Sequence, residues 1–337
     1  MKTLNNISSA QYADDLFGKI DQNFTDVKSA IDTLEQSGGG SSGGEETPSK
    51  GYINILAVGN SFTQCMMMHI AKICENLGIT KSTGVNVQHI YNAGTSLQYY
   101  VEQLSATTVH SLATDVNGGH LLTNGTFSQI LTRPWDIIVF QQVSGDSDDY
   151  ATYEPYLSQL VEAVQRLCPN KNVEIAWHMT WQTGVAAYSD IVASVKQMLD
   201  NYGHIIKRII PNGTSVENIR GTSLNANKAA RNFTYDFNTT TGNGQHLHVG
   251  VGDFVAGCTF YQSLIYPFTG IDIRNSTLTI TAENNTDYVN AKNRWENTYS
   301  GSSAGAVEVT DANRDTCLKS VLYALIHPFG ATDIDNV

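Results

Sequence analysis

An apolar, β-branched run, Tyr52-Ile53-Asn54-Ile55-Leu56-Ala57, is closed by Gly59 and gives way to apolar positions at helical spacing from Met66 to Leu77. A glycine-bounded run of this kind reads as a strand buried on both faces. Feeding directly into a helix, it is the unit from which parallel α/β sheets are built. Further runs with strand character recur at Val85–Tyr91, Asp136–Gln141, Val173–His178 and Ile205–Ile210. Helical patterns separate them, among them Glu154–Leu167 and Tyr188–Tyr202. The βαβ connections favour a parallel order.

The expected fold class is therefore α/β, a flavodoxin-like three-layer α/β/α sandwich with a parallel sheet. A helix is expected over Asp253–Ile265. A last helix, Asp311–Ile326, should end before His327-Pro328 and pack Leu318, Val321, Leu322 and Leu325 on the body. His110 to Thr132 is longer than a simple crossover and reads as a lid or substrate-side insertion. Ile271 to Asn285 alternates polar and apolar residues and reads as a small strand excursion.

The first strand-to-helix turn holds the chemistry. Val58-Gly59-Asn60-Ser61-Phe62 puts a serine hydroxyl at the end of a buried strand and near the positive end of a helix dipole. Both features suit a nucleophile whose oxygen must become an alkoxide. The competing reading makes Ser61 only the N-cap of the helix, a role serine favours.

This Gly-Asn-Ser-Phe turn resembles the first block of the SGNH (GDSL-type) hydrolase superfamily, and later segments resemble its other blocks in order. Tyr91-Asn92-Ala93-Gly94-Thr95-Ser96-Leu97 is similar to the second block, whose glycine offers a backbone N–H to an oxyanion. Trp135-Asp136-Ile137-Ile138-Val139-Phe140-Gln141-Gln142-Val143-Ser144 is similar to the third, with a Gln-Gln pair where many members carry an Asn donor. Carbohydrate acetyl esterases include a glutamine variant of this kind. Ile209-Ile210-Pro211-Asn212-Gly213 and Asn243-Gly244-Gln245-His246-Leu247 complete the series, the latter resembling the block that holds the general base.

The resemblance spans roughly Tyr52 to Phe268 and implies an SGNH hydrolase domain acting as a carbohydrate acetyl esterase. Ser61 would be the nucleophile and His246 the base. The Ser61 N–H, the Gly94 N–H and a glutamine amide would hold the oxyanion. Strand alternation decides which glutamine points inward; Gln142 is preferred and Gln141 is the alternative. No metal and no cofactor are implied.

One departure matters for the mechanism. Asn243 stands where the superfamily has the acid that orients the histidine. A neutral Asn holds an imidazole in place but lends its cation no charge. Either a Ser–His dyad works with a backbone carbonyl as orienter, or another acid (Asp236 or Asp253) fills the place, or the site binds without turnover. His246 and His248 form a His-x-His pair that reads as a metal site or, with no accompanying acidic or Cys cluster, as one base beside a structural histidine. His178 and Trp181 follow a strand-like run, so Trp181 either contacts a sugar ring or fills the core.

The first fifty residues differ in character. Phe17, Ile20, Phe24, Val27, Ile31 and Leu34 alternate three and four apart, the seam of a short coiled-coil-like helix. Three segments are expected: a helical attachment or oligomerisation segment over 1–36, a Gly/Ser-rich linker over 37–50, and the hydrolase-like domain over 51–337. The helix would pair with copies of itself or with a groove on a larger assembly, unless it folds back on its own domain. Ile20 to Lys28 resembles the attachment segments of phage and prophage tail or fibre proteins. That resemblance implies a homo-oligomeric virion protein, partnered by other virion proteins and a surface glycan. It would be made in the host cytoplasm without a signal peptide, and Met1 to Asn6 leads to no apolar core of one. A net charge of −12 argues against nonspecific nucleic-acid binding, and no run is long enough to span a membrane. The five cysteines, scattered within apolar runs, read as free buried thiols.

Overall fold

The structure, a computed structural model, describes residues 51–225, 232–234, 244–290 and 307–337. The leader helix, the linker, Asp236 and Asn243 lie outside the described residues. The chain divides into a unit Met1–Lys50 and a unit Gly51–Val337, and the second is described below.

The described residues form eight strands: β1 (Ile53–Gly59), β2 (Val85–Tyr91), β3 (Val109–His110), β4 (Leu112–Val116), β5 (Gly125–Thr126), β6 (Ile137–Phe140), β7 (Glu174–His178) and β8 (Ile206–Ile210). The main sheet has the order β4-β2-β1-β6-β7-β8. Its last five members are parallel, the flavodoxin-like order, and β4 adds an antiparallel edge. Strand period sets the layers. Ile55 and Ala57 of β1 enter one core, while Leu56 and Val58 enter the other.

The first core lies under α1 (Ser61–Met67), α2 (Ile70–Asn76), α7 (Asn212–Gly221), α8 (Val251–Phe260) and the C-terminal helix Arg314–Ile326. The second lies under α3 (Leu97–Gln103), α4 (Phe127–Leu131), α5 (Tyr156–Leu167) and α6 (Tyr188–Tyr202). Helix α5 shows why such segments are helical: Leu157, Leu160, Val161 and Val164 recur at three- and four-residue spacing and are all buried. Each such side chain contributes about 1.5–3 kcal/mol relative to exposure.

Two expectations are corrected. The segment over 110–132 is no lid: it supplies edge strand β4, the small β3–β5 pair and α4, whose Phe127, Ile130 and Leu131 are fully buried in the second core. The segment over 271–285 forms a short 3₁₀ turn at Ile273–Asn275 and a single bridge, Ile280 to Val309, rather than a strand. There the Asp272 side chain accepts from the Arg274 N–H and Gln262 Oε1 accepts from the Ile273 N–H, so side chains take the place of a ladder.

The chain passes from β1 to β2 on one side and then to β6 on the other. The β1/β6 boundary is thus the topological switch point, the place where sheets of this kind bind ligands beyond the carboxyl ends of their strands. Gly59 sits at that boundary with no room for a side chain: a Cβ there would lie 2.2 Å from Thr63 Oγ1 and 2.9 Å from Gln141 Cδ. Gly59→Ala is therefore expected to lower stability by about 1–3 kcal/mol, the range for overpacking. Denaturant unfolding of the two proteins checks this, and equal midpoints would contradict it.

Candidate functional site

Asn60 caps α1: it has extended backbone, and its Oδ1 accepts the Phe62 N–H at 3.0 Å. Ser61 is thus the first residue of the helix and not its cap, which leaves its hydroxyl for other work. That hydroxyl is 2.8 Å from His246 Nε2, with both residues half-buried at the carboxyl edge of the sheet. The Ser61 N–H belongs to the first helical turn, where no intrahelical carbonyl reaches it. A hydroxyl hydrogen-bonded to an imidazole beside a helix N-terminus is a nucleophile–base pair in geometry.

Asn60 also anchors a buried polar chain. Its Nδ2 donates to the Thr95 carbonyl at 2.9 Å, which ties down the loop holding Gly94. Its Oδ1 accepts from Gln141 Nε2 at 2.7 Å. Gln141 Oε1 accepts from Thr63 Oγ1 at 2.9 Å and from His178 Nδ1 at 2.6 Å. His178 Nε2 accepts from Asn212 Nδ2 at 3.0 Å. Because the amide oxygen only accepts, the His178 proton sits on Nδ1 and the ring is neutral. Burial drives its pKa down to about 3.

The segment bearing His246 is held from both sides. Trp181 Nε1–H donates to the Gln245 carbonyl at 2.6 Å, and the Trp181 ring meets Phe62 edge-on at 4.6 Å. On the opposite edge Leu247 bridges to Thr234, and the His248 N–H donates to the Phe233 carbonyl. His248 is buried, accepts the Gly250 N–H and packs against Tyr288, which is a structural role. Among the described residues no group of three or more His, Cys, Asp or Glu side chains is placed to hold a metal ion.

The structure therefore brings Ser61 and His246 together and sets the Gly94 loop against Asn60. Three other expectations change. Gln142 is buried with its amide directed to the Thr152 carbonyl and hydroxyl and its oxygen accepting from the Leu97 and Val143 N–H groups, so it braces the fold. Gln141 is the glutamine beside the serine turn, because the alternation that sends Ile137 and Val139 into the first core continues to residue 141 and sets it against Asn60 and Thr63.

Trp181 is fully buried and offers no face to a sugar ring; it supports the base. Asp253 is buried in α8 against the Cys65 thiol, and burial pushes its carboxyl well above the usual range, which disfavours the charged form an orienting acid needs. Asn60, Thr63 and Asn212 escaped sequence reading as site residues. The signal was there in Asn60, a cap-type residue immediately before the serine.

The model of a family described as a domain of unknown function, DUF4886, matches residues 54–294, which include Ser61 and His246. The chain belongs to the DUF4886 family. A crystal structure of a DUF4886 family protein from Bacteroides uniformis is similar to it, with a TM-score of 0.63 and 21% identity, over 85% of this chain and 99% of that one. The fold is thus shared within DUF4886. No curated protein matches the sequence.

The neutral His178 makes a pH prediction for this DUF4886 domain. Its ring, ordinarily titrating near 6.5, takes up a proton in the unfolded chain but not in the folded one until about pH 3. Stability is therefore lost as pH falls below 6.5, by up to about 1.4 kcal/mol per unit. Going from pH 6.5 to 4.5, His178→Asn is expected to lose about 2–3 kcal/mol less than the parent in urea unfolding. Equal losses would show that the ring is not held neutral.

Proposed function

We propose that this DUF4886 domain is a serine ester hydrolase that removes acetyl or similar acyl groups from a surface or capsular carbohydrate. The observation that carries the reading is the 2.8 Å contact between Ser61 Oγ and His246 Nε2 at the switch point of the sheet. The ordered motif series described above supports the superfamily and the carbohydrate ester. The leader's resemblance to tail and fibre segments extends the proposal to an enzyme borne on a phage particle, attached through residues 1–36.

In this mechanism His246 takes the Ser61 proton as Oγ attacks the acyl carbon. The carbonyl becomes an oxyanion, met by the Ser61 N–H and by the Gly94 N–H. Gly94 has φ +63, which suits glycine, and open space around its Cα, so the loop can approach substrate closely. Collapse expels the sugar oxygen, protonated by His246, and leaves an acyl-serine. Water, deprotonated by the same ring, then releases the acid and restores Ser61.

Asn243, at the position of the usual acid, favours a second reading in which the cleft binds glycan without turnover. Hydrolysis of a small activated acetyl ester separates the two. Parent turnover falling by at least about 1000-fold in both Ser61→Ala and His246→Ala is the expected result, with a gain in Asn243→Asp. Unchanged turnover in Ser61→Ala would overturn the esterase. An inert parent that still binds acylated glycan would establish the second reading.

A further inference from the structure

Counting from the nucleophile, Ser61, Cys65 and His69 follow at intervals of four along α1 and the turn into α2. Residues so spaced form one ridge of a helical run. Each member of the ridge meets the base segment, and in register. Ser61 Oγ is 2.8 Å from His246 Nε2, Cys65 Sγ lies 4.0 Å from the Leu247 carbonyl, and His69 Nε2 lies 2.5 Å from the Val249 carbonyl.

With Trp181 on Gln245, the carbonyls of residues 245, 247 and 249 are each held by a side chain of another element. These are alternate residues, and their carbonyls are the ones turned toward the donors.

His69 is the polar member of this ridge that packing does not explain. It is buried in the turn between α1 and α2, between the apolar Met67 and Ile70, and its Nδ1 makes no hydrogen bond. A carbonyl accepts only, so the proton sits on Nε2 and the ring is neutral, in keeping with a pKa lowered by burial to about 4. An apolar side chain would fill the space without leaving a buried nitrogen unpaired. The Val249 contact is what the imidazole adds.

We infer that His69 is a positioning residue for His246: by donating to the Val249 carbonyl it locks the base segment in register with the nucleophile helix, so that Nε2 stays within reach of Ser61 Oγ. The inference deepens the esterase proposal and rests on its assignment of nucleophile and base. Cys65 contributes a weaker contact of the same kind one turn earlier.

The test compares His69→Leu, which fills the space without a donor, with His69→Gln, whose Nε2 amide can reach the same carbonyl. The full-length parent is the reference, and denaturant unfolding confirms that each variant is folded. On the activated acetyl ester, His69→Leu is expected to lower kcat roughly 10- to 100-fold with KM within about twofold, and His69→Gln to recover to within about threefold of the parent. Parental kcat in folded His69→Leu would overturn the inference, as would a loss in KM alone.

The ¹⁵N resonances of the His246 ring give a second readout, independent of turnover. They should move in His69→Leu and return in His69→Gln; unchanged resonances in both would overturn the inference. An inert parent ends the esterase proposal and leaves these resonances to decide. If His69→Leu does not fold, His69→Asn takes its place, since its amide is too short to reach Val249.

Discussion

A chain of buried hydrogen bonds runs along the carboxyl edge of the sheet, and the candidate site depends on it. It starts at the Thr95 carbonyl beyond β2 and passes through Asn60 beyond β1 and Gln141 beyond β6. His178 at the end of β7 and Asn212 after β8 complete it. The order of its members is the order of the parallel strands. Each neutral hydrogen bond adds only about 1 kcal/mol net, whereas a buried group left without its partner costs about 1–3 kcal/mol. A chain in which each link fixes the orientation of the next admits few alternatives, so it acts more on geometry than on total stability.

The two reactive groups reach the site by different routes that converge. Ser61 is delivered by the strand-to-helix turn, whose shape depends on a side-chain-free Gly59 and on Asn60 as the cap. The carbonyl of Gly59 accepts from the Tyr100 hydroxyl and from the Asn92 N–H, which draws the second loop in beside the first. His246 comes from a segment far along the chain and without regular structure. Its placement rests on Trp181, Leu247 and the ridge behind Ser61. A base on such a segment needs these outside contacts, because no helix or sheet ladder of its own fixes the ring.

The elements with strong local signals were legible in the sequence. Val85–Tyr91 and Tyr188–Tyr202 fall where the apolar patterns place them, since buried strands and amphipathic helices write their period directly into the chain. The region over 110–132 was misread because its length alone suggested a lid, while the burial of Phe127 and Ile130 depends on tertiary packing. Gln142 and Gln141 were ordered wrongly for a related reason. Alternation carries on past β6, with Ile137 and Val139 in one core and Ile138 and Phe140 in the other, but which face meets the serine helix is set by the topology and not by the strand's own sequence. Trp181 at a strand end suited both a sugar platform and the core, and its indole N–H to Gln245 settles it as support. His69 was hidden because its partner, Val249, is 180 residues away.

The most direct measurement is intact-mass and peptide analysis of the full-length protein after reaction with a fluorophosphonate, which phosphonylates serines activated by a base. The expected result is a single adduct on the peptide carrying Ser61, formed at least about 100-fold more slowly in His246→Ala. An unmodified Ser61 in the parent, or equal labelling rates in the two proteins, would contradict a nucleophile activated by His246.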